Sequence, residues 1–284
     1  MMGSLEGATA VVTGGAGGVA GLGSGLVRRL AAKGMQVAVL DHDLDAARLL
    51  ADSLRDAGGA AIAHPVDVTE PHTLHEAAAF VESSFSSCNI LCAHVGGGGQ
   101  GPFQETSLES WQQAMRLMVL GTVATVQAFL PLMQRTSGFR SIVLTSSVAA
   151  LVPGRYQGPY RAAKAAVTSI GETLALELAP LGIGTTIAFP SGMLTPDILA
   201  FAREASLTSA DGDDVTLTIA QEMAPDPTDL ATGEEAARIV VEAVLAGSRY
   251  VITHGKTAAV GYQQRHELLE QGFAELAERS YLPG

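Results

Sequence analysis

Three residues in one stretch have the types and spacing to move a proton. Ser147 precedes Tyr160 by 13 residues, and Tyr160 is followed by Arg161-Ala162-Ala163-Lys164. Residues 162–178 carry good helix formers with apolar repeats, and positions four apart on a helix share one face. Lys164 is therefore expected one turn from Tyr160, with its ammonium near the phenol. A free phenol ionises near pH ~10, too high to trade a proton at neutral pH, and a fixed cation beside it favours the phenolate. Tyr160 is then a candidate acid/base for a substrate oxygen, with the Ser147 hydroxyl holding that oxygen. Tyrosine and lysine also fall four apart by chance in many helices, so the surrounding sequence decides.

The chain has 284 residues, of which 47% are hydrophobic, enough to bury a large core. Its net charge of -12 argues against nucleic acid and anionic membrane surfaces as partners. No signal segment is apparent at the start, and no uninterrupted apolar run reaches the ~20 residues of a membrane span. Cys88 and Cys92 are the only cysteines. In an apolar segment they read as buried free thiols rather than a disulfide or half a metal site. Together these features predict a cytoplasmic protein.

Seven short apolar runs read as strands, at 8–13, 36–41, 60–66, 89–95, 141–146, 183–189 and 249–254. Helical patterns separate most of them, at 26–33, 46–57, 73–84, 108–135 and 162–178. Continuous apolar strands alternating with amphipathic helices indicate an α/β fold, a doubly wound parallel sheet covered on both faces. No linker divides it, so residues 1–284 are expected to form a single domain. Residues 191–232 are expected to cover the site, because ligands bind outside the carboxyl ends of the strands. Residues 256–284 form a C-terminal extension, with an amphipathic helix from Tyr262 to Arg279 at a substrate mouth or subunit contact.

Between the first strand and its helix lies TGGAGGVAGLGSG, residues 13–25. Such a loop lets backbone N–H groups approach a pyrophosphate at the positive end of a helix. Asp41 ends the second strand, where a carboxylate accepts hydrogen bonds from an adenosine ribose and repels a 2′-phosphate. No Arg or Lys lies in the loop. These features favour NAD over NADP as cofactor.

Taken in order, the glycine loop, Asp41, Asp67-Val68, Ser147, Tyr160-x-x-x-Lys164 and Pro190 with Thr195 resemble the short-chain dehydrogenase/reductase family, over roughly residues 5–255. The resemblance implies a Rossmann-type fold of about seven parallel strands. It implies that Tyr160 transfers the proton, that Lys164 also binds the nicotinamide ribose, and that Ser147 rather than Ser146 holds the substrate oxygen. Gly14, Gly18, Gly21 and Leu22 would meet the phosphates, Asp67 and Val68 the adenine, and Val95, Gly96, Pro190, Met193 and Thr195 the rest of the cofactor. It also implies a homodimer or homotetramer through helix faces near 108–135 and 160–178.

The sequence departs from the family pattern at several points. Six residues separate Thr13-Gly14 from Gly21-Leu22-Gly23, longer than usual, so an insertion leaves open which of Gly17, Gly18 and Gly21 meets phosphate. Ala93-His94-Val95-Gly96 stands where the family has Asn-Asn-Ala-Gly. His94 is either a structural hydrogen-bonder or a group titrating near neutral pH beside the nicotinamide ribose. Met118 replaces an asparagine that anchors a relay water, and methionine accepts no strong hydrogen bond. Ser191 replaces a glycine.

Other segments carry weaker signals. Ile198-Leu199-Ala200-Phe201 either lines a substrate pocket or packs as a surface helix. Asp211, Asp213 and Asp214 read as a solvated loop rather than a metal site. Trp111, Met115 and Leu117 read as core or interface. The expected activity is interconversion of a secondary alcohol and a ketone on a largely apolar small molecule. The alternatives are a catalytically weak or inactive NAD-binding sensor or scaffold and an NADP-linked carbonyl reductase.

Overall fold

A computed structural model describes residues 5–17, 21–97, 101–193 and 229–278. Seven strands form one sheet: β1 (Thr9–Thr13), β2 (Gln36–Asp41), β3 (Ala61–Pro65), β4 (Ile90–Ala93), β5 (Ser141–Thr145), β6 (Gly184–Phe189) and β7 (Tyr250–Ile252). Their order is β3-β2-β1-β4-β5-β6-β7, and every pairing is parallel. The fold is the expected Rossmann-type, doubly wound α/β sheet, with strand ends within about two residues of the expected ones.

Alternation along the strands splits the core in two. Ala10 and Val12 of β1, Val37 and Val39 of β2, and Ile90 and Cys92 of β4 face one layer. That layer holds α1 (Leu22–Ala31), α2 (Leu44–Asp56) and α7 (Gly233–Leu245). Val11, Leu40, Leu91 and Leu144 face the other, against α3 (Pro71–Phe85), α5 (Gly121–Arg135) and α6 (Gly158–Leu178). Cys88 and Cys92 are free, buried, and divided between the two layers. Burial alone pushes the Cys92 thiol up to about 12.

Helix α4 (Leu108–Ala114) runs through a π-helical turn, Met115–Leu120, into α5. By length and composition this continuous run is long and apolar enough to cross a membrane, but Arg116, Thr122, Thr125 and Gln127 interrupt it and half of its most apolar window is buried in the fold. Helix α7 lies in a stretch where no helix was expected. It opens with a capping box in which Thr232 and Glu235 bond each other's backbone amide. It crosses α1 at close range: a Cβ added to Gly25 would stand 2.4 Å from the Gly233 carbonyl oxygen. Helix α8 (Lys256–Glu278) begins six residues before the expected Tyr262 and exposes most of its length.

Candidate active site

Because all seven strands run the same way, their carboxyl ends share one edge of the sheet. That edge collects Thr13, Asp41, Asp67-Val68, His94-Val95-Gly96, Thr145-Ser146-Ser147 and Pro190. Helix α6 starts four residues earlier than expected, at Gly158-Pro159, where the ring presets a helical φ and the missing N–H has no partner to lose. Its first turns aim Tyr160 and Lys164 at the end of β5.

Ser147 and Tyr160 meet there. The Ser147 hydroxyl donates to the Pro190 carbonyl at 3.3 Å and accepts from the Ala149 amide at 3.2 Å, and it lies near enough to the Tyr160 phenol to act on its titration. Ser146 points away into the structure, bonding the Lys164 carbonyl and the Thr168 hydroxyl. Ser147 is thus the serine that faces the tyrosine, as its spacing implied.

Lys164 is buried, and its ammonium donates to the Val95 carbonyl at 2.9 Å and the Thr145 carbonyl at 2.8 Å. Two of its three N–H bonds are therefore committed to backbone, which fixes the head and leaves one for a further acceptor. The ammonium lies 5.8 Å from the centre of the Tyr160 ring. Burial lowers the lysine to about 8 and raises the tyrosine, with the Ser147 hydroxyl opposing the rise. In the protein by itself the expected lysine-driven lowering of the phenol is not seen; desolvation outweighs it.

Met118 is fully buried and packs with Ala114 and Ala163, against the partly buried Tyr160. Its carbonyl, in the π turn, accepts from the Thr122 hydroxyl at 2.6 Å. The side chain that replaces the expected asparagine therefore makes an apolar wall behind the tyrosine. Trp111 packs under the start of α6, where a Cβ on Gly158 would lie 3.0 Å from its ring, and meets Phe103 edge-on.

The glycine loop forms a backbone cradle. Gly14 has φ +61°, and a Cβ there would stand 2.2 Å from the His94 carbonyl oxygen; one on Gly23 would stand 2.0 Å from the Gly14 carbonyl oxygen. The N-cap residue of α1 is Gly21, which has no side chain to cap it. A cradle that excludes Cβ, a helix N-terminus beside it and a lysine with a further donor fit the pyrophosphate and ribose of a dinucleotide. Leu22 is buried, so its contribution there is through backbone. Gly18 and Thr195 lie outside the described residues, as do 198–201 and Asp211, Asp213 and Asp214. Met193 pairs with Ala231 in an isolated parallel bridge.

Asp41 is buried, and its carboxylate accepts from the Ala16 amide of the loop at 2.9 Å and the Asp43 amide at 3.1 Å, with His42 beside it at 2.9 Å. It serves the loop as well as any ribose. Asp67 is exposed, and two hydrogen bonds from Thr69 hold its carboxyl below the usual range. Val68 is buried against Gly121, where a Cβ would come within 2.7 Å.

His94 resolves toward the structural alternative. Its amide donates to the Thr13 hydroxyl at 3.1 Å, and its Nδ1 bonds the Thr145 hydroxyl at 3.1 Å. Burial first, and the Lys164 charge second, lower the imidazole to about 4. The titration near neutrality is thereby corrected: the ring is neutral at pH 7. Thr13, which opens the glycine-loop motif, and Thr145, which carries no motif and was passed over, both bond His94. Among the described residues no group of three or more His, Cys, Asp or Glu could hold a metal ion.

Residues 8–205 match the family model described as short chain dehydrogenase. A 2,5-dichloro-2,5-cyclohexadiene-1,4-diol dehydrogenase from Sphingobium indicum is 31% identical over 196 residues, 69% of this chain and 77% of the relative. A 3beta-hydroxysteroid dehydrogenase from Eggerthella lenta is 34% identical over 204 residues, 69% of this chain and 74% of the relative. A solved short chain dehydrogenase/reductase from Burkholderia phymatum in complex with NAD superimposes with a TM-score of 0.81 at 26% identity, covering 95% of this chain and 97% of that one. The chain belongs to the short-chain dehydrogenase family. The two relatives named above are dehydrogenases, and the oxidoreductase class and the use of NAD or NADP go with that membership.

Proposed function

We propose that this protein is an NAD-dependent oxidoreductase that interconverts a secondary alcohol and a ketone. The convergence of Ser147, Tyr160 and Lys164 on one point at the end of β5 carries this reading. Ser147, held by Ala149 and Pro190, orients the substrate oxygen. Tyr160 takes the hydroxyl proton in oxidation and returns it in reduction. Lys164, anchored on Val95 and Thr145, keeps one N–H for the ribose and places a positive charge near the phenol. NAD, when bound, supplies the hydride acceptor. The spare lysine donor and a second cation in a dry site then favour the phenolate that burial alone opposes.

Asp41 supports NAD over NADP, because a 2′-phosphate beside a buried carboxylate is repelled. The relatives named for a cyclohexadiene diol and a hydroxysteroid support a largely apolar, alicyclic substrate. Cytoplasmic location and a homodimer or homotetramer belong to the same proposal. The test is reduction of NAD, followed at the nicotinamide absorbance, with a panel of alicyclic and steroid alcohols. Full activity in Tyr160→Phe would defeat the mechanism.

The apolar wall made by Met118 favours a second reading, an NAD-binding sensor or scaffold with little turnover. It requires NAD binding by calorimetry, no turnover on any alcohol or ketone, and unaltered NAD affinity in Ser147→Ala.

A further inference from the structure

Four successive carbonyls after Ser147 are held by two arginines from different helices. Arg161, next to Tyr160 on α6, donates through Nη1 to Ala149 O at 3.3 Å and Val152 O at 2.7 Å. Arg265, on α8, donates through Nη1 to Ala150 O at 3.0 Å and Leu151 O at 3.1 Å. The amides of the segment are satisfied differently. Val148 bonds the Pro190 carbonyl, Ala149 the Ser147 hydroxyl, Ala150 the Ser147 carbonyl, and Leu151 and Val152 the Val148 carbonyl.

Behind the segment the packing is incomplete, although Gly261 of α8 lies close against Val152. A cavity of about 700 Å³ lies between α6, β7 and α8, walled by Val148, Leu151, Val152, Phe189, Ile252 and Leu269. None of Ser147, Tyr160 and Lys164 lines it. A loop backed by a cavity keeps its shape through its hydrogen bonds, and charge-assisted ones are the strongest available. The amide that fixes the Ser147 hydroxyl, Ala149 N, lies in the same tight turn as the carbonyls Arg265 grips.

We propose that Arg265 is a positioning residue for Ser147, acting through the Ala150 and Leu151 carbonyls, so that the C-terminal helix is part of the active-site architecture. The proposal rests on the alcohol-dehydrogenase reading for its kinetic consequence but not for the grip itself. Losing Arg265 leaves two carbonyls to water and frees the loop to sample other shapes, which misplaces the hydroxyl that orients substrate. The carbonyls that Arg265 bonds, Ala150 and Leu151, are not among the residues expected to hold the cofactor, so NAD affinity is expected to be kept.

The experiment compares Arg265→Ala, Arg265→Lys and the unaltered chain by hydrogen–deuterium exchange and by kinetics with the alcohol that the panel above identifies. Expected in Arg265→Ala are faster exchange of the Leu151 and Val152 amides and a KM for the alcohol raised about tenfold. Also expected are a kcat within about twofold of the unaltered chain and an unchanged NAD affinity by calorimetry. Lysine, which carries three N–H donors on one nitrogen but lacks the planar guanidinium, recovers part of the KM, and guanidinium ion added at low concentration recovers part of it in Arg265→Ala. Wild-type exchange in Arg265→Ala overturns the proposal. So does faster exchange with an unchanged KM, and so does a loss of activity that tracks a lowered melting temperature and answers neither to lysine nor to guanidinium. If the unaltered chain oxidises no alcohol, the enzymatic reading has failed, and exchange alone decides the grip: faster exchange upholds it and unchanged exchange removes it.

Discussion

The ammonium of Lys164 stands 5.8 Å from the centre of the Tyr160 ring, one turn further along the same helix. Ser147, beside the phenol, opposes the upward push of burial on it. This separates the expected roles of Tyr160 and Lys164. Tyr160→Phe removes the proposed proton carrier and should lower kcat by ~10²–10⁴-fold with NAD affinity nearly unchanged. Lys164→Met removes both the charge and the donor for a ribose, and should weaken NAD as well. Calorimetry for NAD and steady-state kinetics on both variants check the split.

His94 makes the fold sensitive to acid. Its folded value, about 4, lies below the ordinary value of 6.5. Above pH 6.5 the ring is neutral in both states and contributes nothing. As pH falls from 6.5 towards 4 the unfolded chain takes up a proton that the folded chain refuses, so stability is lost across that window. Allowing for the partly solvated ring, the loss is about 2 kcal/mol. Urea unfolding at pH 7 and pH 4.5 should show it in the unaltered chain and not in His94→Asn.

Asp41 couples the cofactor preference to the shape of the glycine loop, since one carboxylate oxygen accepts from Ala16. Asp41→Ala should lower kcat/KM with NAD, improve it with NADP, and narrow their ratio by about tenfold or more. Kinetics with both cofactors would settle it; an unaltered chain that prefers NADP would sink the assignment.

The crossing of α1 and α7 leaves no room at Gly25, where an added Cβ meets Gly233 O at 2.4 Å and the Ala237 Cβ at 3.0 Å. Alanine gains helix propensity over glycine by about 1 kcal/mol, but overpacking at backbone costs more. Gly25→Ala should therefore lower stability by ~1–3 kcal/mol and Gly25→Leu by more, read from denaturant midpoints.

Much of this was legible because parallel strands buried on both faces are continuous apolar runs. β1, β2 and β5 could be placed almost to the residue for that reason. Ser147, Tyr160 and Lys164 could be proposed from the sequence because their expected roles fix their spacing, and the structure brings them to the end of β5. Helix α7 was passed over, although Thr232-x-x-Glu235 before Ala236, Ala237, Val240 and Val241 is a capping box followed by an apolar stripe. The upward push of burial on the Tyr160 phenol had no sequence signal, because burial is a tertiary quantity and spacing reports only the nearby cation. Burial likewise decides between the two alternatives for His94. The grip of Arg265 on residues 115 and 114 positions away in sequence had no local signal at all.

The bridge between Met193 and Ala231 has an evolutionary corollary. It pins the two ends of the segment between them beside each other, with the Ala231 amide on the Gly192 carbonyl and His254 on that same carbonyl. Closing a longer loop on fixed anchors costs little, about 0.6 kcal/mol for each doubling of length. Changes of length between those two anchors are therefore expected to leave the seven-stranded sheet in place as lineages diverge.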